Sequence, residues 1–264
     1  MAGRIRMGIG GWTFPPWRGV FYPDGLRQAD ELAYASSKLG AIEINGTYYS
    51  LQKPASFAAW AAATPDDFVF AIKASRFCTN RKVLSDVGEA MDRFMGQGLT
   101  ELGPKLGPIL WQFMATKKYD PDDFAGFLAL LPKELGGRPL RHCVEVRNAS
   151  FATEAFVDLA RSHNVAICAS ENPDYPLIAD VTADFVYARL MRGRDEIETG
   201  YEAADLDTWA TRLRAYSNGE SPPDLTTLAP PPPPAPRDVF AFFISAGKVR
   251  APAAAVALAD RLRR

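Results

Sequence analysis

Eight short runs rich in β-branched and aromatic residues recur along this chain of 264 residues, and helix-compatible stretches separate all but one neighbouring pair. The runs are 4–11, 41–48, 68–75, 106–113, 141–147, 165–170, 184–191 and 238–245. Between or after them, 29–39, 55–63, 85–102, 121–131, 153–163, 204–216 and 251–263 read as helices. Local signals agree: Gly40 stands where a helix C-terminus favours glycine, and Pro121-Asp122-Asp123 opens the fourth helix with a proline and an acidic first turn. The stretch 171–183 holds Pro173 and Pro176 and is expected to be irregular. Strands alternating with helices make parallel sheet, and eight such units without a second domain predict one (β/α)8 barrel over 1–264. The rival is an open doubly wound sheet. GIGGWTF after the first run does not suit it, because Trp12 and Phe14 would crowd a pyrophosphate and Pro15-Pro16 delay a helix. One segment, 221–237, carries five consecutive prolines and is expected to be an exposed, semi-rigid loop.

Lys plus Arg number 30 against 31 for Asp plus Glu, so the net charge of −1 lacks the basic footprint of a dedicated nucleic-acid binder. Three cysteines, Cys78, Cys143 and Cys168, form no CxxC pair, which suits a reducing compartment. No apolar leader core opens the chain and no run approaches the roughly 20 apolar residues of a membrane helix. The expectation is a soluble, cytoplasmic protein without membrane contact. Only His142 and His163 are present, HExxH, GxSxG and P-loop motifs are missing, and neither a metal nor a cofactor is expected. His163, in RSHNV, reads as a helix-terminal residue, and His142 opens strand five away from the anticipated mouth.

In a barrel the reacting groups sit at the C-terminal strand ends. Residues i and i+2 of a strand share a face, so Glu43 pairs with Asn45 and Glu145 with Arg147, while Ile42, Ile44, Val144 and Val146 face the other way. A carboxylate on an apolar strand must be paired or face a cleft. Lys73, Gln112 and Arg189 end other strands, and Trp12 and Tyr48 stand near the rim. Glu43 and Glu145 are the acid/base candidates, because neighbouring charge and burial separate carboxyl pKa values. Lys73, Arg147 and Arg189 suit a small phosphate- or carboxylate-bearing ligand. Internal ion pairing that serves packing alone is the competing explanation.

GIGGWTFPPWRGVFYP, AIEINGTYYSL, TPDDFVFAIKAS, KLGPILWQF, VEVRNASF and DFVYARL, in this order over about residues 5–215, resemble the successive motifs of the YecE-like family, also called domain of unknown function 72. The resemblance implies a TIM-barrel-like fold with a polar cleft at the strand ends and no established activity. Its motif positions fall on Trp12, Glu43, Asn45, Tyr48, Lys73, Gln112, Glu145, Arg147 and Arg189. This chain departs from the pattern in having Thr79-Asn80 for Thr-His, Met191-Arg192-Gly193 for His-Gly, Phe243-Ile244-Ser245 for FNN, and Phe151 for a tryptophan. Three readings therefore stay open: a hydrolase or isomerase using carboxylate acid/base chemistry, a nucleic-acid-processing barrel by analogy of fold, and a binding protein without chemistry.

Overall fold

The computed structural model describes residues 2–263. The chain runs through β1 (Ile5–Gly10), α1 (Glu31–Lys38), β2 (Ala41–Ile44), a single turn α2 (Gly46–Tyr49), α3 (Pro54–Ala62), β3 (Val69–Lys73), a second short turn α4 (Arg76–Thr79) and α5 (Gly88–Met95). It continues through β4 (Leu106–Gln112), α6 (Pro121–Leu130), the two-residue strands β5 (Glu134–Leu135) and β6 (Arg138–Pro139), β7 (His142–Glu145) and α7 (Glu154–Ser162). The last part comprises β8 (Ala166–Ile167), β9 (Ala169–Glu171), β10 (Phe185–Arg192), α8 (Ala203–Asn218), β11 (Asp238–Ala246) and α9 (Ala251–Arg263).

Nine of these strands form one parallel sheet in the order β8-β7-β4-β3-β2-β1-β11-β10-β9. Its two ends, β8 and β9, are consecutive in the chain and separated by Cys168 alone, so the sheet returns on itself as a (β/α)8 barrel. The expected sixth strand is thus split. Thr182 explains the break: its hydroxyl donates to the Val165 carbonyl and accepts from the Ile167 N–H. A side chain thereby stands where β10 would pair, and β10 begins only at Phe185.

Other boundaries moved for similar reasons. The second strand, expected over 41–48, ends at Ile44, because Asn45 turns to helical angles and the Thr47 hydroxyl bonds the Ile44 and Lys73 carbonyls. The helix expected over 85–102 is α5 followed by a 3-10 run, Leu99–Lys105. The small hairpin β5–β6 was not anticipated, although Gly136-Gly137, with φ of 58° and 74°, is the dipeptide a tight hairpin needs. The segment 171–183 is irregular beyond Glu171, as expected. The proline-rich segment has no helix or strand before Asp238. Asp180 accepts the Leu228 and Ala229 N–H groups, and Arg237 donates to the Gly219 and Ala235 carbonyls. No described helix is long and apolar enough to cross a membrane.

Alternation sorts the strand residues into two layers. Ile42, Ile44, Trp111, Val144 and Val146 join the layer under the helices, whereas Ala71, Leu110, Cys143, Tyr187 and Phe242 fill the barrel. Trp111 meets Phe94 and Phe127 edge-on and donates its indole N–H to His142 Nδ1 at 3.1 Å. That bond makes Nδ1 the acceptor, so the imidazole proton sits on Nε2 and points to the Pro132 carbonyl at 2.7 Å. Inside the barrel, Phe242 needs a glycine opposite. A Cβ on Gly8 would lie 2.4 Å from the Ala41 carbonyl oxygen and 2.7 Å from the Phe242 ring. Gly8→Ala is expected to lower the unfolding free energy by about 1–3 kcal/mol, the usual range for overpacking. Chemical denaturation checks this, and an unchanged midpoint would show that the wall yields freely.

Candidate functional site

At the C-terminal end of the barrel the inward positions change from apolar to charged. Glu43 and Arg189 lie above Ala41 and Tyr187, and Lys73, Gln112 and Glu145 lie above Ala71, Leu110 and Cys143. Arg189, only 1% exposed, stands at the centre. Its Nη2 donates to Glu43 Oε1 at 2.9 Å, and its Nη1 to Glu145 Oε2 and, at 3.2 Å, to Gln112 Oε1. Tyr187 donates its hydroxyl to Glu43 Oε2 at 2.7 Å. Arg147 bonds Glu145 Oε1 through Nε at 2.7 Å and Gln112 Oε1 through Nη2 at 2.9 Å. Each oxygen of both carboxylates therefore already accepts a hydrogen bond. The two glutamates expected to act as acid and base share one guanidinium.

The electrostatics follow from this packing. Burial opposes the charge on Arg189, but Glu145 and Glu43 together outweigh it and raise its pKa. Burial likewise works against the Glu145 carboxylate, and Arg189 with Arg147 more than offsets that, so its pKa is lowered. Tyr187, buried beside Glu43, is held well above its usual range and stays a donor.

Lys73 is the exception in this group. Burial, followed by the nearby Arg189, lowers its pKa to about 8, even though Glu43 and Glu145 pull the other way. Among the described residues its ammonium has no hydrogen-bond or ion-pair partner, the Thr47 hydroxyl bonding only its backbone carbonyl. Its ammonium rests instead over the Tyr48 ring, 4.2 Å from the centroid, an attraction without an acceptor. Tyr48 reaches it because β2 gives way to α2, and the Asn80 amide donates to the Tyr48 hydroxyl at 3.2 Å. The Asn80 amide oxygen is itself buried without a partner.

Of the residues expected from sequence, Glu43, Gln112, Glu145, Arg147 and Arg189 are directly bonded to one another, and Lys73 and Tyr48 adjoin them. Asn45 lies beyond its strand and turns back to donate to the Glu43 carbonyl at 3.3 Å. Trp12 is placed differently, edge-on to Trp60 at 5.1 Å and to Phe70 at 6.4 Å, against the layer under the helices. Glu171, at the end of β9, accepts from the Trp209 indole at 2.6 Å and the Tyr201 hydroxyl at 2.8 Å. Tyr187 was missed by sequence reasoning, yet it stands two residues before Arg189 on the same face, so alternation alone could have found it. Tyr175, whose ring lies 4.6 Å from the Arg147 guanidinium carbon, comes from the irregular connection and leaves no such signal.

These features define a (β/α)8 barrel whose strand ends converge on a buried charged cluster at the C-terminal mouth. The chain belongs to the family described as protein of unknown function DUF72, whose model matches residues 6–264. It is 27% identical over 246 residues to the UPF0759 protein YecE of Escherichia coli (strain K12), covering 83% of this chain and 84% of that protein. A DUF72 family protein from Thermotoga maritima superposes with a TM-score of 0.75 at 22% identity, over 99% of this chain and 100% of that one. A second, from Enterococcus faecalis V583, gives 0.71 at 16% identity, over 99% of this chain and 98% of that one. At such identities the two structures establish the fold alone.

Proposed function

We propose that the mouth of the barrel binds a small phosphate- or carboxylate-bearing molecule and that Lys73 carries a proton to or from it. The observation behind this reading is a nearly buried amine without an acceptor, with a pKa lowered to about 8, beside a cluster of fixed charge. Lys73, Arg147 and Arg189 supply three cations against the two carboxylates of Glu43 and Glu145, which leaves one positive charge in excess. Arg147 commits Nε and Nη2 to the protein and keeps Nη1 for a ligand. Glu43 and Glu145 then act by positioning, holding the arginines in place and keeping them charged. A lysine whose pKa lies near neutrality suits general acid/base work of the hydrolase or isomerase type. The saturated carboxylates equally favour a second reading, a barrel that binds the anion without transforming it.

Sulfate keeps the same charge from pH 6 to 9, so it reports the protein's titration alone. Its affinity is expected to fall as pH rises through about 8, because Lys73 is protonated below that point and neutral above it. Lys73→Met is expected to bind sulfate roughly tenfold or more weakly, with a flat pH profile. A wild-type profile without a step near pH 8, or an unaltered variant, would overturn the assignment.

A further inference from the structure

Two cations of the barrel mouth rest on aromatic faces. The Lys73 ammonium lies 4.2 Å from the centroid of the Tyr48 ring, and the Arg147 guanidinium carbon lies 4.6 Å from that of Tyr175. The rings come from separate loops, Tyr48 from the turn α2 after β2 and Tyr175 from the irregular connection after β9. Both are half-buried, and each is held by its own neighbours. The Asn80 amide donates to the Tyr48 hydroxyl at 3.2 Å, and Tyr49 packs edge-on against that ring at 5.1 Å. Beyond β9, the Asn172 side-chain oxygen accepts from the Asp174 N–H at 2.9 Å, and the Asn172 carbonyl accepts from the Tyr175 N–H at 3.4 Å. That turn brings Tyr175 back to Arg147.

A ring and a carboxylate hold a cation in different ways. An acceptor takes a particular N–H group, whereas the negative face of a ring attracts the whole charge and leaves the donors free. Arg189 shows the first case, with Nη1 and Nη2 given to Glu43, Glu145 and Gln112. Lys73 shows the second, because its ammonium has three donors and none is committed among the described residues. Arg147 stands between them: Nε and Nη2 are bonded to Glu145 and Gln112, and Nη1 is not. The rings therefore support the same two cations that keep donors for a ligand.

We infer that Tyr48 and Tyr175 are positioning residues of the cleft, whose ring faces hold the Lys73 and Arg147 charges at the mouth and leave their N–H groups to the ligand. This rests on the anion site proposed above. The two rings control different things. Lys73 titrates: burial, Arg189 and Arg147 favour its neutral form, while Glu43 and Glu145 favour the charged one. The Tyr48 face joins the two carboxylates, so it helps to set the pH at which the site loses that charge. A guanidinium stays charged throughout the range in which an amine titrates, so Tyr175 governs only where Arg147 stands.

Sulfate titrations by calorimetry between pH 6 and 9 separate these roles. In Tyr48→Leu the midpoint of the affinity profile is expected to move down by roughly half a unit to one and a half units, because the ammonium loses a partner of its charged form. In Tyr48→Phe the ring remains, and the midpoint should stay at its wild-type value. Tyr175→Leu is expected to bind sulfate roughly three- to tenfold more weakly at every pH without moving the midpoint. In an Arg147→Met background the same change should cost nothing further, since Tyr175 acts through that guanidinium. A general loss of packing would produce neither the shifted midpoint nor the dependence on Arg147. A midpoint unmoved in Tyr48→Leu, or moved equally in Tyr48→Phe, would overturn the role of the Tyr48 ring. A Tyr175→Leu loss that persists in full beside Arg147→Met would overturn that of Tyr175. In both cases a wild-type step near pH 8 leaves the anion site standing. A wild-type profile with no step refutes the anion site itself, and the inference falls with it.

Discussion

Arg189→Met is expected to destabilise the protein by about 3–5 kcal/mol at neutral pH, the range for breaking a buried ion pair from one side. The substitution removes the group that bonds Glu43 and Glu145 together and leaves two fully buried carboxylates, with Tyr187, Arg147 and Gln112 as what remains of the network. Methionine fills much of the volume, so lost charge compensation rather than a cavity sets the deficit. The pH dependence separates the two causes. Uncompensated buried carboxylates take up protons more readily in the folded variant than in its unfolded chain, so the variant's deficit should shrink as pH falls from 7 towards 4. Denaturant titrations of both proteins at several pH values provide the check. A deficit that does not vary with pH would mean that packing, not charge, is what Arg189 contributes.

The second large effect concerns His142 and acid stability. Burial lowers its pKa from 6.5 to about 4, opposed by its bond to the Pro132 carbonyl. The folded protein binds this proton less tightly than the unfolded chain, so between pH 6.5 and 4 the unfolded state carries more protons. Stability is complete above 6.5 and is lost as pH falls through that window, by about 3 kcal/mol from this one residue. Two measurements test it. The imidazole resonances should stay those of the neutral ring, protonated on Nε2, down to about pH 4. The acid limb of stability should also be shallower in His142→Gln than in the wild type, whatever the variant's absolute stability. A resonance titrating near 6.5 would refute the assignment.

These two residues show what could be read along the chain and what could not. The eight β/α units, the irregular 171–183 connection and the inward or outward side of most strand residues follow from period-2 alternation and from proline and glycine placement. Those are local properties, and the backbone imposes them whatever the partners are. The same alternation placed Glu43, Lys73, Gln112, Glu145 and Arg189 inside the barrel at its C-terminal end. Strand ends were less legible, because distant groups decide them. Thr47 ends β2 by capturing a carbonyl of β3, and Thr182 interrupts the sixth strand by occupying its edge.

Partnership within the site was legible only between Glu145 and Arg147, which alternation puts on one face of one expected strand and which are bonded at 2.7 Å. Glu43 and Arg189 are 146 residues apart, and their bond depends on the stagger between strands when the barrel closes. That stagger places Arg189 between both carboxylates, gives Arg147 the remaining oxygen of Glu145, and leaves Lys73 with only the face of an aromatic ring. From the sequence, the carboxylates read as the proton-transfer groups and the lysine as an anchor. The tertiary structure saturates the carboxylates and isolates the lysine. Residue type and alternation determined which groups enter the barrel mouth. Strand register, a property of the closed sheet, decided which of them remained available for chemistry.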